Sequence, residues 1–188
     1  MLPSENTHLR MRMFNADGSE AEMCGNGIRC LVSFAFNRGI IDIGTSPVVV
    51  DTKAGERHVT PIWDGRHMVS ARVGMGEPRF QPEDIPAIAP GLKRITGLSL
   101  DVSGQKLDIS CVSVGNPFTV AFLDTPVHDF PLHEVGPAIE NHPMFPERTN
   151  FAIANVSNHS HIQARVWERG SGMTQACGTG ACALVAVG

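Results

Sequence analysis

The sequence lacks the features of several large classes of protein. Charged residues make up only 18% of its 188 residues and the formal net charge is −4, so the chain is not basic enough to bind nucleic acid. No apolar run approaches the ~20 residues of a membrane-spanning helix, and the first residues show no signal-peptide pattern. We therefore expect a globular cytoplasmic protein that binds neither membranes nor nucleic acid.

Common metal and cofactor motifs are also missing. The five cysteines are an odd number and do not supply two close Cys-x₂₋₄-Cys pairs, which favours reduced thiols over a disulfide framework or a structural zinc site. The eight histidines form no His-Glu-x-x-His pattern, and Gly170-Ser171-Gly172 does not continue into a G-x-G-x-x-G loop. We expect no metal and no dinucleotide.

One short motif occurs twice, near the two ends of the chain. Cys24-Gly25-Asn26-Gly27 and Cys177-Gly178-Thr179-Gly180 share the pattern Cys-Gly-polar-Gly, and each precedes apolar residues at helical spacing, the first run ending at Gly39. The first amides of a helix have no intrahelical partner, so they surround a sulfur or a nearby anion with donors. Such positions lower a cysteine pKa from about 8.5 to about 3.5–7.5. Facing each other, the two motifs would hold a carboxylate between two thiols, with one base on each side of a carbon.

The order of elements also repeats along the chain. We predict strands at 9–15, 48–52, 57–63, 67–73, 98–102, 106–114, 118–123, 151–156 and 162–168, and a further helix at 131–141. Turn-forming residues at 15–19 join the first strand to the first motif. Glycines and prolines between Gly74 and Gly97 interrupt the pattern. We therefore predict two domains, 1–74 and 75–188, that arose by duplication and have the site between them.

Several of these segments together resemble one family. Asn15-Ala16-Asp17-Gly18-Ser19-Glu20-Ala21-Glu22-Met23-Cys24-Gly25-Asn26-Gly27, Trp167-Glu168-Arg169-Gly170 and Ala176-Cys177-Gly178-Thr179-Gly180 look like diaminopimelate epimerase. Val114-Gly115-Asn116-Pro117 and Glu147-Arg148-Thr149-Asn150 fall between them in the family's order, and the resemblance covers essentially the whole chain. It implies an α+β fold of two pseudo-symmetric domains, each an antiparallel-rich sheet around a central helix, with the active site in the cleft between them.

The resemblance also implies a reaction and its partners. Members of the family interconvert LL- and meso-diaminopimelate without pyridoxal phosphate or metal, for lysine and peptidoglycan synthesis. We therefore expect diaminopimelate as the substrate, no cofactor and, for the full-length protein, a homodimer.

Residue roles follow from the same resemblance, position by position. Cys24 and Cys177 correspond to the two catalytic cysteines, one a thiolate base and the other a thiol that returns a proton from the opposite face. The carboxylate beside the reacting carbon is expected to bind the amides of Gly25, Asn26, Gly178 and Thr179. The rest of the substrate is expected to contact Asn15, Asn116, Asn150, Glu168 and Arg169. Glu168 is also expected to take part in catalysis by orienting the reacting amine, and an Arg fork with Asn amides can recognise a distal carboxylate and ammonium.

Two positions and both ends of the chain depart from the family pattern. Phe118 stands where the family usually has a histidine near the reacting centre, and Met173, in a predicted loop, stands where Glu is common. Family members also begin with additional strands and continue past a position such as Gly188. We therefore expect this chain to be a fragment with little activity of its own.

Two other functions remain open. One is a different cofactor-independent racemase of the same fold, such as a relative of proline racemase, although Arg169 and the three asparagines favour a substrate with a polar far end. The other is a redox-switched or inactive binding protein, in which oxidation joins Cys24 to Cys177 and reductant reverses the block. Cys30, Cys111 and Cys182 occupy apolar helix or strand positions, and we expect no role for them.

Overall fold

The computed structural model describes all residues from Met1 to Gly188 and contains two main sheets and three helices. The helices are α1 (Gly25–Asn37), α2 (Leu132–Glu140) and α3 (Gly178–Val187). The strands are β1 (Leu9–Arg10), β2 (Met13–Phe14), β3 (Glu20–Ala21), β4 (Val48–Asp51), β5 (Arg57–Asp64), β6 (His67–Val73), β7 (Leu98–Val102), β8 (Gln105–Ser113), β9 (Pro117–Phe122), β10 (Asn150–Asn158), β11 (His161–Glu168) and β12 (Gly172–Thr174). None of the helices combines the length and the apolar character needed to cross a membrane.

The first half of the chain builds a four-stranded sheet that packs against α1. Its order is β1-β4-β5-β6, with β1 parallel to β4 and the other pairs antiparallel. On α1, Ile28, Val32 and Ala35 are fully buried at helical spacing, and they pack against Val48 and Val50 on one face of β4. This is the sheet around a helix that the alternating pattern predicts.

The single strand predicted at 9–15 is wrong. β1 pairs with β4, whereas β2 pairs with β3 in a separate hairpin. The amide of Met11 still donates to the carbonyl of Asp51 at 2.8 Å, but the chain leaves the sheet after it. The break carries the turn at 15–19 to the second half of the chain, where Asp17 accepts a hydrogen bond from Arg148 at 2.8 Å.

The second half builds a six-stranded sheet with a helix on each face. Its order is β12-β11-β10-β9-β8-β7, all antiparallel except for β9 and β10, which are parallel and connected through α2. On β10, Phe151 and Ile153 share a core with α2, whereas Ala152 and Ala154 share a core with α3. A strand covered on both faces is apolar at successive positions, which explains the uninterrupted apolar run in β10.

The sequence prediction misses the shortest strands. The strands β3 and β12 have two and three residues, too few for an alternating pattern to show. Met173, predicted in a loop, lies on β12 with 54% of its surface exposed. The division into domains 1–74 and 75–188 stays a prediction; the chain passes from one sheet to the other between β6 and β7.

Candidate active site

Cys24 and Cys177 cap their helices in the same way. Cys24 precedes α1 with φ −137° and ψ 116°, and its Sγ accepts the amide of Gly27 at 3.3 Å. Cys177 precedes α3 with φ −127° and ψ 111°, and its Sγ accepts the amide of Gly180, also at 3.3 Å. An extended backbone at the cap turns the side chain back towards the third amide of the helix. The repeated sequence motif is therefore a repeated structure.

The two helix starts face each other. A Cβ built on Gly25 would lie 3.7 Å from the Cα of Gly178, and a Cβ on Gly178 would lie 3.7 Å from the Cα of Gly25. Asn26 reaches across and donates its Nδ2 to the carbonyl of Ala176 at 3.2 Å. The backbone amides of Gly25 and Asn26, and likewise those of Gly178 and Thr179, find no acceptor within the protein. The free amides of the two helix starts thus lie side by side and can donate hydrogen bonds to one anion.

A narrow cavity that opens to solvent lies at this junction. Every catalytic and binding residue predicted from the sequence lines it: Asn15, Cys24, Gly25, Asn26, Asn116, Asn150, Glu168, Arg169, Cys177, Gly178 and Thr179. The additional lining residues are Met13, Ala21, Glu22, Met23 and Ala176. The structure therefore brings together residues from both ends and the middle of the chain.

The pKa of Cys177 is not lowered, although its position at a helix start predicts that it would be. Burial raises the pKa of Cys177 to about 11, and the nearby Glu168 carboxylate raises it further. Hydrogen bonds from the Thr179 hydroxyl, at 3.2 Å, and from the Gly180 amide lower that pKa without offsetting burial. The predicted lowering of the pKa is thus wrong for Cys177, because the sulfur packs against an apolar core and not only against amides. At neutral pH Cys177 is a thiol.

Glu168 and Asn116 both line the cavity. Thr174 donates its hydroxyl to one oxygen of Glu168, which fixes the carboxylate beside Cys177. Asn116 donates its Nδ2 to the hydroxyl of Thr179 at 3.5 Å, while its buried Oδ1 has no hydrogen-bond partner. Unpaired buried acceptors are costly. A donor on a bound ligand would satisfy this oxygen.

Arg169 is held in place from several sides. Only 10% of its side chain is exposed, and its guanidinium pairs with Glu22 and donates to the carbonyl of Glu147 at 3.0 Å. Asn150, itself buried, accepts the Arg169 amide at 3.0 Å and donates to the carbonyl of Pro117 at 2.7 Å. The sequence prediction missed Glu22, because nothing in the pattern before Cys24 marks a partner so far along the chain.

Phe118 and the remaining cysteines lie outside the cavity. Phe118 is fully buried in the apolar core between the six-stranded sheet and α3, so it does not face the site. Cys111 is buried and Cys182 is half-buried, as expected for apolar positions, but Cys30 is exposed on α1, contrary to that expectation. None of these three cysteines lines the cavity.

Known proteins resemble the chain in sequence and in fold. A family model described as diaminopimelate epimerase matches residues 1–81 and 110–188. The chain is 42% identical to the diaminopimelate epimerase of Desulfovibrio desulfuricans, over 98% of this chain and 65% of that protein. It is 43% identical to the diaminopimelate epimerase of Moorella thermoacetica, over 100% of this chain and 66% of that protein. The chain thus spans about 65% of the length of the curated relatives that it matches.

The fold similarity extends to more distant proteins. A crystal structure of a hydroxyproline epimerase from Agrobacterium vitis, with bound trans-4-hydroxy-L-proline, superposes with a TM-score of 0.75 at 14% identity. It covers 98% of this chain and 57% of that one. This similarity confirms the predicted α+β fold class.

Proposed function

Because the chain belongs to the diaminopimelate epimerase family, we propose that the protein converts LL-2,6-diaminopimelate to meso-diaminopimelate by proton transfer at one α-carbon. The observation that carries this proposal is the pair of facing, cysteine-capped helix starts, where a methyl group on either first glycine would lie 3.7 Å from the Cα of the other. One carboxylate can accept the free amides of both helices while a sulfur lies at each cap. No cofactor enters the proposal.

The proposed reaction breaks one C–H bond and forms another on the opposite face of the carbon. A cysteine thiolate takes the α-proton, and the electron pair left behind spreads onto the adjacent carboxylate. The amides of Gly25, Asn26, Gly178 and Thr179 stabilise that charge as it develops. The second cysteine, as a thiol, then gives its proton to the carbon from the other side. Because the reaction is reversible, each cysteine is the base in one direction and the acid in the other.

The acceptors near Cys177 suit the reacting ammonium. Asn116, whose buried Oδ1 has no hydrogen-bond partner, and Glu168 both line the cavity. An ammonium group bound between them would satisfy the buried oxygen of Asn116 and place its positive charge beside the developing carbanion. This is the support for Glu168 as a residue that orients the reacting amine.

The far end of the cavity suits a second amino acid group. Arg169 is fixed and nearly buried, and Asn15 and Asn150 line the same space. A guanidinium with neighbouring amides can bind a distal carboxylate, whereas the ring of proline offers nothing for it to bind. This favours diaminopimelate over the proline-type alternative. A role in lysine and peptidoglycan synthesis, homodimerisation and a cytoplasmic location are part of the proposal and stay predictions.

The test is α-proton exchange in deuterated buffer with reductant present. Incubation of LL-diaminopimelate with the protein should place deuterium at the α-carbon and form the meso isomer without any added cofactor, at a low rate because little activity is expected of this length of chain. Cys24→Ala and Cys177→Ala should each abolish epimerisation, whereas Cys30→Ala, which alters an exposed cysteine outside the cavity, should not change it. Exchange that survives both active-site substitutions would overturn the proposal, and turnover of proline in place of diaminopimelate would establish the alternative.

A further inference from the structure

One arginine joins the two halves of the chain at the edge of the cavity. The Nη1 of Arg148 donates to Asp17 Oδ2 at 2.8 Å and to Glu140 Oε1 at 3.1 Å. Asp17 belongs to the turn between β2 and β3 in the first half, whereas Glu140 is the last residue of α2 in the second half. A single guanidinium nitrogen therefore bridges carboxylates from both halves.

In the second half, several hydrogen bonds hold Glu140 in place. Glu140 is only 7% exposed, and its carboxylate also accepts the Trp167 indole at 2.6 Å and the Gly170 amide at 2.9 Å. Arg148 is its ion-pair partner. The backbone of Arg148 has φ 62°, in the left-handed region that arginine rarely adopts, and Gly or Asn would suit that backbone better.

The turn that contains Asp17 packs closely against this part of the second half. The amide of Asp17 donates to the carbonyl of Gly170 at 3.3 Å, and a Cβ on Gly170 would lie only 2.7 Å from Asp17 Oδ2. Hydrogen bonds from Ser19 and Arg148 lower the pKa of Asp17 to about 2, so the carboxylate stays charged throughout the neutral range. Within its own turn, Asp17 also accepts the Ser19 amide at 2.9 Å.

Each anchor lies beside a residue that lines the cavity. Asp17 follows Asn15 by two positions, Arg148 precedes Asn150 by two, and Gly170 directly follows Arg169. A displacement of the turn would therefore move Asn15 away from Asn150 and Arg169. Holding binding groups in place before the ligand arrives reduces the entropy lost on binding.

We propose that Asp17 and Arg148 are positioning residues, whose contact holds the Asn15 turn over the far end of the cavity and preforms the site for the distal amino acid group of the substrate. The inference rests on the proposed function for the identity of that substrate. The contact itself can be tested without substrate.

The kinetic test compares Asp17→Asn, Arg148→Gln and the double variant. Asp17→Asn can keep its oxygen as the acceptor for Ser19 and leaves Arg148 paired with Glu140, but its amide nitrogen then faces Arg148, so both the charge and the hydrogen bond across the halves are lost. Each single variant should raise KM for diaminopimelate about fivefold to tenfold with kcat within about twofold, and the double variant should be no worse than the poorer single. Unchanged KM in Asp17→Asn, or effects on KM that multiply in the double variant, would overturn the inference.

Arg12→Gln is the matched control. It breaks the ion pair of Arg12 with Glu20, at 2.7 Å, which lies within the same hairpin and does not reach the second half. Its KM should match that of the unmodified protein. An equal rise in KM would show that any lost charge in the hairpin suffices, and would overturn the assignment to Asp17 and Arg148.

A substrate-free test separates this inference from the proposed function. Amide hydrogen exchange at residues 17–19 should be faster in Arg148→Gln than in the unmodified protein or in Arg12→Gln, because the turn loses its anchor. Unchanged protection would overturn the inference even if the protein epimerises diaminopimelate. Faster exchange would support the anchor even if the unmodified protein shows no epimerisation, which would contradict the proposed function alone.

Discussion

Gly25 and Gly178 face each other at the cavity, close enough that a methyl group added to either would contact the backbone of the other. A methyl group on Gly178 would lie 3.7 Å from the Cα of Gly25 and 3.8 Å from Asn26 Oδ1. These are ordinary van der Waals distances, so the folded protein can accommodate the methyl. The space that it would fill, however, is bordered by the free amides proposed to bind the substrate carboxylate.

Substitution of either glycine by alanine should therefore impair binding without unfolding the protein. We expect Gly178→Ala to raise KM for diaminopimelate by at least about tenfold, since one extra methyl in a fitted site has effects of this size. Gly25→Ala should act alike, because its methyl would lie 3.7 Å from the Cα of Gly178. Steady-state kinetics and thermal unfolding measure the two effects. An unchanged KM, or a large fall in unfolding temperature, would contradict this account of the cavity.

The raised pKa of Cys177 predicts how its reactivity depends on pH. The rate of alkylation by iodoacetamide at Cys177, followed by mass spectrometry, should rise with pH to a midpoint near 11. Glu168→Gln removes a negative charge that raises this pKa, so the midpoint should move down. Glu134→Gln, which neutralises an exposed carboxylate on α2, should leave the midpoint unchanged. A midpoint that stays in place or moves up in Glu168→Gln would show that the carboxylate does not act on the sulfur.

The raised pKa of Cys177 predicts that the folded protein becomes less stable as an alkaline solution becomes more alkaline. Above its ordinary pKa of about 8.5, Cys177 ionises in the unfolded chain but keeps its proton in the folded protein. Its contribution to the free energy of unfolding is thus complete below that pH and is lost as the pH rises towards 11. Cys177→Ala should reduce this fall in stability, as urea denaturation at several alkaline pH values can measure.

Sequence predicts the local parts of this site and misses its long-range parts. The two cysteine caps follow from four contiguous residues at a helix start, so Cys24 and Cys177 are recognisable without a structure. The partners Arg169 and Glu22 are 147 residues apart, and Arg148 and Asp17 are 131 apart, with no periodicity to connect them. The pKa of Cys177 also depends on burial that only tertiary packing creates. The break in the strand after Met11 is also missed, because long-range strand pairing decides where an alternating segment leaves its sheet.

The ion pair of Glu22 with Arg169 should stabilise the free protein. Their side chains are only 21% and 10% exposed, so removal of the carboxylate leaves a nearly buried guanidinium without its counter-ion. We expect Glu22→Gln to lower the free energy of unfolding by about 2 kcal/mol, below the usual range for a fully buried pair. Urea denaturation checks the value. Glu20→Gln, which breaks the more exposed pair with Arg12, should change stability little.

A substrate carboxylate at Arg169 would replace the charge lost in Glu22→Gln. The increase in unfolding temperature on addition of diaminopimelate should therefore be larger in Glu22→Gln than in the unmodified protein. A smaller increase would mean that Glu22 chiefly orients Arg169 for binding and does not compete with the ligand for it.

We expect Phe118 to stabilise the core and to take no part in the reaction, although it stands where the family usually has a histidine. It is fully buried among apolar side chains such as Val112, Val120 and Leu184, and it does not line the cavity. An imidazole there would lose hydrogen bonds to water without gaining partners from these neighbours. We therefore expect Phe118→His to lower the free energy of unfolding by about 3 kcal/mol and to leave kcat no higher. Phe118→Leu, which keeps the site apolar, should cost less. A histidine variant of unchanged stability with a raised kcat would mean that this side chain reaches the reacting centre.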